Sequence, residues 1–259
     1  MSSKKCVCSV ITKNYVEYLK VFCKSILKHN PYFDEDYIVF YESGNISPED
    51  KIELLNVYQK FIFKEVPLDN YNLLDSNHFV GTNYSKKIRR FAYYRLEMFN
   101  LQQYERVIYF DVDMVVIRTL DALFSMKFDS GIIACEDLLV KHKKLKSKEY
   151  FEKHHKVQGG VIVVGKECLS GKVYQDLIKT LVDTRRFELA DQSMFVEYFD
   201  RKDMLKKLDI KYNCGRKLIR DNIVNINDVC IIHYPGSGKP TSKKKCKTYK
   251  FWHDVRKTL

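Results

Sequence analysis

The chain has 259 residues, of which 45% are hydrophobic and 30% are charged. This composition is typical of a globular protein with a sizeable core in one large domain or two small ones, and no apolar run is long enough to cross a membrane. The formal net charge of +12 favours anionic partners, either nucleic acid, a membrane surface or a phosphorylated small molecule.

Eight cysteines lie mostly within apolar runs such as CVCSVI and VCIIHY. None of them forms a C-x-x-C pair, so we expect reduced, buried thiols and neither a disulfide framework nor a zinc site. The first residues contain no apolar region long enough for a signal peptide. We therefore expect a cytoplasmic location.

Strand and helix patterns alternate along the chain. Short apolar runs predict strands, and residues with a helical period or a helix-start signal predict the helices between them. In chain order, the predicted strands are residues 7–11, 37–41, 61–66, 106–110, 131–135, 159–164 and 229–234. The predicted helices are residues 16–29, 47–58, 84–100, 171–184 and 191–199.

Apolar strands that alternate with helices favour a mostly parallel sheet covered on both faces. No linker composition divides the chain, so we predict one α/β domain over residues 1–240. Residues 241–259 are basic and have little strand pattern. We predict that this segment is either packed on the domain or flexible, and such a charge run is most often a solvated arm. The alternative is a lid over a bound diphosphate that uses residues 243–247.

The segment VIYFDVDMVV places two carboxylates directly after the predicted strand 106–110. A strand period of two puts Asp111 and Asp113 on the same face, at the end of the sheet where α/β proteins bind ligands. Close carboxylates repel each other, and a divalent cation such as Mg²⁺ or Mn²⁺ removes that cost. The alternative is that the pair caps a turn or pairs with Arg118. A D-x-D triplet alone does not decide between them.

The segment CIIHYPGSGKP ends another predicted strand in His233 and continues into glycines and Lys239. Histidine is a suitable third ligand for Mn²⁺, and a glycine-rich backbone with a lysine suits a diphosphate. The spacing is not that of a Walker motif. The alternative is a histidine that is satisfied beside a glycine turn.

Together these segments resemble glycosyltransferase family 8, the glycogenin-like group with a GT-A fold. The resemblance lies in six segments that follow the family's order over most of residues 7–240: VITKNYVEYLKVFCKSIL, YSKKIRRFAYYRLEMFNLQQYERVIYFDVDMVVIRTLDALF, QGGVIVV, LADQSMF, KYNC and HYPGSGKP. The chain departs from the family pattern at Gln158 and Gly159, where Asn and Ser are usual, and at Thr241, where Trp is usual.

The resemblance implies a single Rossmann-like GT-A domain with a mixed, mostly parallel sheet flanked by helices. It assigns Mn²⁺, with Mg²⁺ as the alternative, to Asp111, Asp113 and His233. It assigns UDP-sugar binding to Ile11, Thr12, Tyr15, Lys86, Arg95, Val112, Gln158, Gly159, Gly236 and Lys239. It places two residues at the reacting face, Asp191 and Gln192.

The implied activity is retaining transfer of a hexose, with glucose favoured, from a UDP-sugar to an unknown acceptor in an α-linkage. A metal and cations stabilise the charge that grows on the leaving diphosphate, so departure needs no general acid. The net positive charge then fits a phosphorylated substrate, and we expect no nucleic-acid binding. A homodimer stays open, and none of the 18 tyrosines is marked as an acceptor.

Two other classes of protein stay open at this stage. A nucleotidyltransferase also uses a metal–carboxylate site on a related fold, but it needs a glycine-rich phosphate loop after the first strand, and VITKNYVEYL has none. A basic module that binds glycans or nucleic acid without catalysis is the second alternative. The D-x-D pair argues against it, because without a metal those carboxylates repel a polyanion.

Overall fold

The structure is a computed structural model that describes residues 4–71, 86–144, 146–184, 189–242 and 246–259, without the side chains of residues 86–89 and 184. Within these ranges the strands are β1 (Lys5–Val10), β2 (Asp36–Tyr41), β3 (Phe61–Glu65), β4 (Arg106–Phe110), β5 (Met114–Val116), β6 (Ile132–Cys135), β7 (Gln158–Gly165), β8 (Leu205–Lys207), β9 (Cys214–Gly215) and β10 (Ile231–His233). The helices are α1 (Val16–His29), α2 (Pro48–Val57), α3 (Lys86–Tyr93), α4 (Asp121–Ser125), α5 (Leu138–His142), α6 (Lys148–His154), α7 (Gly171–Thr184), α8 (Asp191–Phe195), α9 (Arg216–Arg220) and α10 (Tyr249–Arg256).

Seven strands form the central sheet in the order β3-β2-β1-β4-β7-β6-β8. β7 runs antiparallel to its two neighbours, and the other pairings are parallel. β4 is buried at every position, as expected for a strand that is covered on both faces. The prediction of a mixed, mostly parallel sheet flanked by helices is confirmed.

The predicted helical periods and start signals produce the expected helices. α1 begins and ends where the apolar period predicts, and it buries a stripe that includes Leu19, Phe22 and Ile26. α2 begins with a capping box, in which the Ser47 hydroxyl accepts from the Asp50 amide at 3.2 Å and the Asp50 carboxylate accepts from the Ser47 amide at 3.0 Å. These two helices lie beside the first strands and shape one side of the sheet.

A smaller three-stranded sheet of β5, β10 and β9 lies where the D-x-D segment leaves the central sheet. β10 pairs antiparallel with β5, which sets His233 opposite Met114. The strand predicted over 106–110 is confirmed as β4, but the strand period does not continue over residues 111–113, because β5 belongs to the other sheet. Asp111 and Asp113 therefore share a site because they lie in the crossing between two sheets, and strand periodicity is not the reason.

The helix predicted over residues 84–100 is α3 followed by a 3₁₀ segment, Tyr94–Asn100, and residues 84–85 lie outside the described part. The helix predicted over 191–199 is α8 continued by one π-helical turn, Val196–Asp200. All eight cysteines are free thiols, and six of them are buried. No helix in the described ranges is long and apolar enough to cross a membrane.

The C-terminal segment contains the packed helix α10. Trp252 is fully buried, and its ring centroid lies 5.4 Å from that of Tyr18 on α1. The Tyr18 hydroxyl also hydrogen-bonds the Thr241 hydroxyl. The expectation of a solvated arm is therefore wrong for this helix. The alternative of a lid concerns residues 243–247, of which 243–245 lie outside the described part.

Candidate active site

A cavity of about 840 Å³ opens at the carboxyl ends of β1 and β4, where they meet the smaller sheet. Its lining includes every residue that the resemblance assigns to the donor, the metal or the reacting face, except Lys86. The side chain of Lys86 lies outside the described part, so its assignment to UDP-sugar binding stays a prediction. The fold thus brings segments from residue 11 to residue 239 into one place.

Asp111, Asp113 and His233 form a compact cluster on the wall of this cavity. One ligand atom from each residue lies within 4.8 Å of the others. The Nε2 atom of His233 is 3.3 Å from Asp113 Oδ1 and 3.7 Å from Asp111 Oδ2. Asp113 is 6% exposed and His233 is 3% exposed. Two carboxylates and an imidazole at these distances are a donor set that suits a divalent cation.

The orientation of His233 is held by Asn213. His233 Nδ1 lies 2.8 Å from Asn213 Oδ1, and the Asn213 amide nitrogen donates to the Gln158 carbonyl at 3.4 Å. Because Oδ1 only accepts, we assign a proton to Nδ1, and Nε2 then faces the carboxylates. Gly160 makes room for this contact, since a Cβ there would lie 2.7 Å from both Asn213 Oδ1 and His233 Cε1.

Lys239 supplies a cation at the edge of the same cluster. Its Nζ pairs with Asp113 Oδ2 and lies 5.3 Å from the Tyr15 ring centroid. Burial alone would raise the pKa of Asp113, but His233 and Lys239 together hold that pKa well below its usual range. Gly236 begins the turn that carries Lys239, and its φ of +71° is in the left-handed region that favours glycine.

Arg95 links three segments behind the cluster. Its Nη1 donates to the Gly159 carbonyl at 2.5 Å, and its Nη2 donates to Asp111 Oδ1 at 3.3 Å. Its Nε lies 3.3 Å from Asp191 Oδ2, and its guanidinium stacks 4.7 Å from the centroid of the Tyr109 ring. The guanidinium therefore fixes the relative positions of the D-x-D segment, β7 and α8.

Asp191 and Gln192 begin α8 on the opposite side of Arg95. Ala190 just before them has φ +50°, a conformation that costs a non-glycine residue of the order of 1–3 kcal/mol and is common beside functional groups. Burial raises the pKa of Asp191 to about 6, although Arg95 opposes the shift. The Gln192 side-chain oxygen accepts from the Gly159 amide at 3.1 Å. Both residues thus face β7 across the cavity.

The end of the cavity near β1 differs from the metal cluster in the groups that it offers to a ligand. The Ile11 amide donates to the Phe40 carbonyl at 3.0 Å, which continues the pairing of β1 with β2 past the end of the strand. Thr12 precedes a short 3₁₀ helix, Lys13–Tyr15, and its side chain makes no capping hydrogen bond. The Tyr15 ring is half-buried at the cavity. This end offers backbone groups, a hydroxyl and an aromatic face.

Sequence reasoning missed several residues of the site. Asn213 lies in the quoted KYNC segment and Gly160 in QGGVIVV, but no pattern gave either a role. Arg216 and Lys217 follow KYNC after one residue, Gly215, and also line the cavity. The short strand β9 gives little periodic signal, so only the two adjacent cations after KYNC were available as a cue.

Comparison with known proteins gives the same picture. A family model described as glycosyl transferase family 8 matches residues 6–255. Among solved structures, the apo WbbM bifunctional glycosyltransferase is similar, with a TM-score of 0.73 and 18% identity over 99% of this chain and 50% of that chain. The galactosyltransferase LgtC, solved with donor and acceptor sugar analogues, has a TM-score of 0.71 and 17% identity over 98% of this chain and 95% of that one.

GlyE of Streptococcus pneumoniae has a TM-score of 0.70 and 15% identity over 98% of this chain and 60% of that chain. This chain therefore spans about half the length of WbbM and 60% of the length of GlyE. No curated protein matches the sequence at a significant level. At these identities the structural likeness shows the fold, which is the GT-A fold of these glycosyltransferases.

Proposed function

This chain belongs to glycosyl transferase family 8, and from that premise we propose that it transfers a hexose from a UDP-sugar to an acceptor with retention of configuration, in a Mn²⁺-dependent reaction. Membership of the family makes it a glycosyltransferase. The donor nucleotide, the metal, the stereochemistry and our preference for glucose are the proposed part. The observation that carries the proposal is the Asp111–Asp113–His233 cluster beside Lys239 in one cavity.

The residues present fit a divalent cation. Two carboxylates and an imidazole whose Nε2 faces them are the ligands, and the mixed oxygen and nitrogen set suits Mn²⁺, with Mg²⁺ as the alternative. When bound, the cation would supply positive charge beside the leaving diphosphate. Asn213 would keep His233 in the orientation that ligation needs.

The chain's other residues would position the donor. Thr12, Tyr15 and the backbone of Ile11 would hold the uridine, because this end of the cavity offers a hydroxyl, an aromatic face and peptide groups. The turn from Gly236 to Lys239 would hold the diphosphate. Lys239 adds a positive charge where negative charge grows as the sugar leaves, so the leaving group needs no general acid from the protein.

The sugar would lie between β7 and α8. As its C1–O bond to the diphosphate breaks, the acceptor oxygen forms a new bond to C1 on the same face, and the acceptor proton passes to the departing phosphate oxygen. The carboxylate form of Asp191 would stabilise the positive charge that develops at C1. Arg95 acts as a positioning residue, since it holds Asp111, Asp191 and Gly159 together.

A screen of UDP-sugars tests this function. We expect one donor, with UDP-glucose tried first, to raise the melting temperature of the protein only when Mn²⁺ is present, and to be hydrolysed slowly under the same conditions. EDTA should remove both effects. If no UDP-sugar stabilises the protein in the presence of Mn²⁺ or Mg²⁺, the proposed donor class is wrong. Strong, salt-sensitive binding of nucleic acid without metal would instead favour the binding module.

Three further expectations accompany the proposed function and stay predictions. They are a cytoplasmic location, the absence of nucleic-acid binding and the possible formation of a homodimer. The division of the chain at residue 240 also stays a prediction. The packing of α10 on α1, through Trp252 and Tyr18, shows that the segment after this residue contacts the domain. Size-exclusion chromatography with light scattering would measure the oligomeric state directly.

A further inference from the structure

Most cations that line the cavity are paired with an acid, but two are not. Arg95 pairs with Asp111 and Asp191, Lys239 with Asp113, and Lys13 with Asp50 at 3.8 Å. Arg216 and Lys217, adjacent at the start of α9, form no ion pair with any residue in the described ranges. We call these two residues the basic wall.

Arg216 is held firmly in its place on this wall. Its guanidinium packs against the backbone of Gly238, where any Cβ would overlap it, and lies 5.9 Å from the centroid of the Tyr249 ring. Its Nε is buried and has no hydrogen-bond partner in the described part of the chain. Arg216 also faces the thiol of Cys246 and helps to lower its pKa. No carboxylate of the described residues neutralises this guanidinium, so its charge can still attract an anion.

Two residues determine how much of the positive charge of the wall is available to a ligand, Lys217 on the wall and Asp137 near it in the cavity. Lys217 is exposed at the cavity, so its ammonium group is free to meet a ligand. Asp137 also lines the cavity, but one of its oxygens accepts from the Val140 amide at 3.1 Å and the other lies 3.5 Å from His155 Nδ1. Its charge is therefore directed at the start of α5 and at His155, and the two cations stay uncompensated.

The basic wall lies beside the surfaces that the donor would occupy. In the proposed function, the segment after β1 takes the uridine, the metal cluster and Lys239 take the diphosphate, and β7 with α8 takes the sugar. The wall formed by α9 is lined by Arg216, Lys217 and Leu218. It borders the turn that takes the diphosphate, because Arg216 packs against Gly238, but no donor group has been assigned to it. An acceptor has to reach the sugar from a surface that the donor leaves free.

We propose that the acceptor carries an anionic group, either a phosphate or a carboxylate, which Arg216 and Lys217 bind. This inference rests on the proposed function, because it takes the donor to occupy the rest of the cavity. Arginine offers two parallel donors to such an oxyanion, and lysine adds a mobile point charge. The enzyme would accordingly prefer sugars or glycans that bear a negative charge over their neutral counterparts.

Isothermal titration calorimetry on the full chain, saturated with UDP and Mn²⁺, tests the proposal. The probes are glucose, glucose 6-phosphate and glucuronate. We expect at least one anionic probe to bind about tenfold more tightly than glucose, as hydrogen bonds to a charged group predict. Arg216→Gln combined with Lys217→Gln should abolish this preference. The control, Lys172→Gln combined with Lys179→Gln on α7, removes the same charge from an exposed surface and should retain the preference.

Each outcome has one meaning. If UDP does not bind in the presence of Mn²⁺, the proposed function fails, and this inference fails with it. If UDP binds but glucose and both anionic probes bind equally, or none of them binds, the inference alone is overturned. If the Arg216 and Lys217 variant loses affinity for UDP by tenfold, the wall serves the diphosphate, and the anionic acceptor is overturned. Glucose 6-phosphate and glucuronate distinguish a phosphate from a carboxylate.

Discussion

The metal cluster and the basic wall lie in one cavity, but they differ in whether their charged side chains have partners of opposite charge. In the cluster, charged groups are paired with other residues of the protein: Lys239 pairs with Asp113, and His233 lies 3.3 Å from the same carboxylate. On the wall, Arg216 and Lys217 have no acidic partner in the described residues. In the cluster, Asp113 and His233 are buried and Asp111 is half-buried, while on the wall Arg216 is half-buried and Lys217 is exposed.

This difference indicates what each region is built to hold. The three acids Asp111, Asp113 and Asp191 share two cations, Arg95 and Lys239. This region therefore remains short of positive charge, so it attracts a metal and keeps it in a fixed geometry. Two unpaired cations have a surplus of positive charge and attract an anion. Substitutions in the cluster should therefore change the chemistry of every substrate, whereas substitutions on the wall should change the choice of acceptor only.

The largest effect is expected for Asp113→Asn. The variant keeps the shape of the side chain and loses a charged ligand, so we expect the fold to survive and UDP-sugar turnover to fall about 1,000-fold or more, since a bound metal supplies several kcal/mol of transition-state stabilisation. Hydrolysis of the UDP-sugar in the presence of Mn²⁺ measures it. Asp254→Asn is the matched control, because Asp254 is exposed on α10. Undiminished turnover in the Asp113 variant would remove the cluster from the mechanism.

A smaller effect is expected for Asn213→Ala. The substitution takes away the acceptor for His233 Nδ1, which frees the imidazole to rotate and lowers Mn²⁺ affinity by about 10- to 100-fold. Asn213→Asp keeps an acceptor oxygen at the same place and should retain the affinity. Equal Mn²⁺ affinities for wild type and Asn213→Ala, measured by calorimetry, would show that His233 needs no such support.

The smallest effect is expected at the uridine end, for Tyr15→Ala. Loss of the aromatic face should weaken UDP binding by about tenfold, in line with the 1–3 kcal/mol that a stacked base contributes. Tyr15→Phe keeps the ring and should bind UDP as wild type does. If both variants lose affinity to the same extent, the hydroxyl is the important group and the stacking role is wrong. Mn²⁺ affinity in the absence of UDP should not change in either variant.

Local patterns predicted much of the fold. The apolar period of 16–29 and the capping signal at Ser47 are properties of neighbouring residues, so α1 and α2 follow from the sequence alone. The short edge strand β8, with the sequence LKK, has no such signal, because it is half-exposed and short. α10 was missed for another reason: its buried residues, Trp252 among them, lie within a basic segment whose overall charge predicts solvent.

The sequence predicted part of the site, and there is a physical reason why it could not predict the rest. Asp111, Asp113 and His233 carry a chemistry that their residue types reveal, and the family resemblance joins them across 120 residues of chain. Asn213 and Gly160 have no reactive group, and their importance lies in a contact that exists only when β7 and β10 are folded beside each other. Such partners cannot be read from spacing.

The most direct test of the metal cluster is Mn²⁺ binding itself, followed by electron paramagnetic resonance of the free ion during titration of wild type and Asp113→Asn. The account predicts one tightly bound Mn²⁺ for each wild-type chain, with an affinity that rises when UDP is added, and loss of that site in the variant. Equal Mn²⁺ binding by the two proteins, with no influence of UDP, would contradict the assignment of the cluster as the donor's metal site.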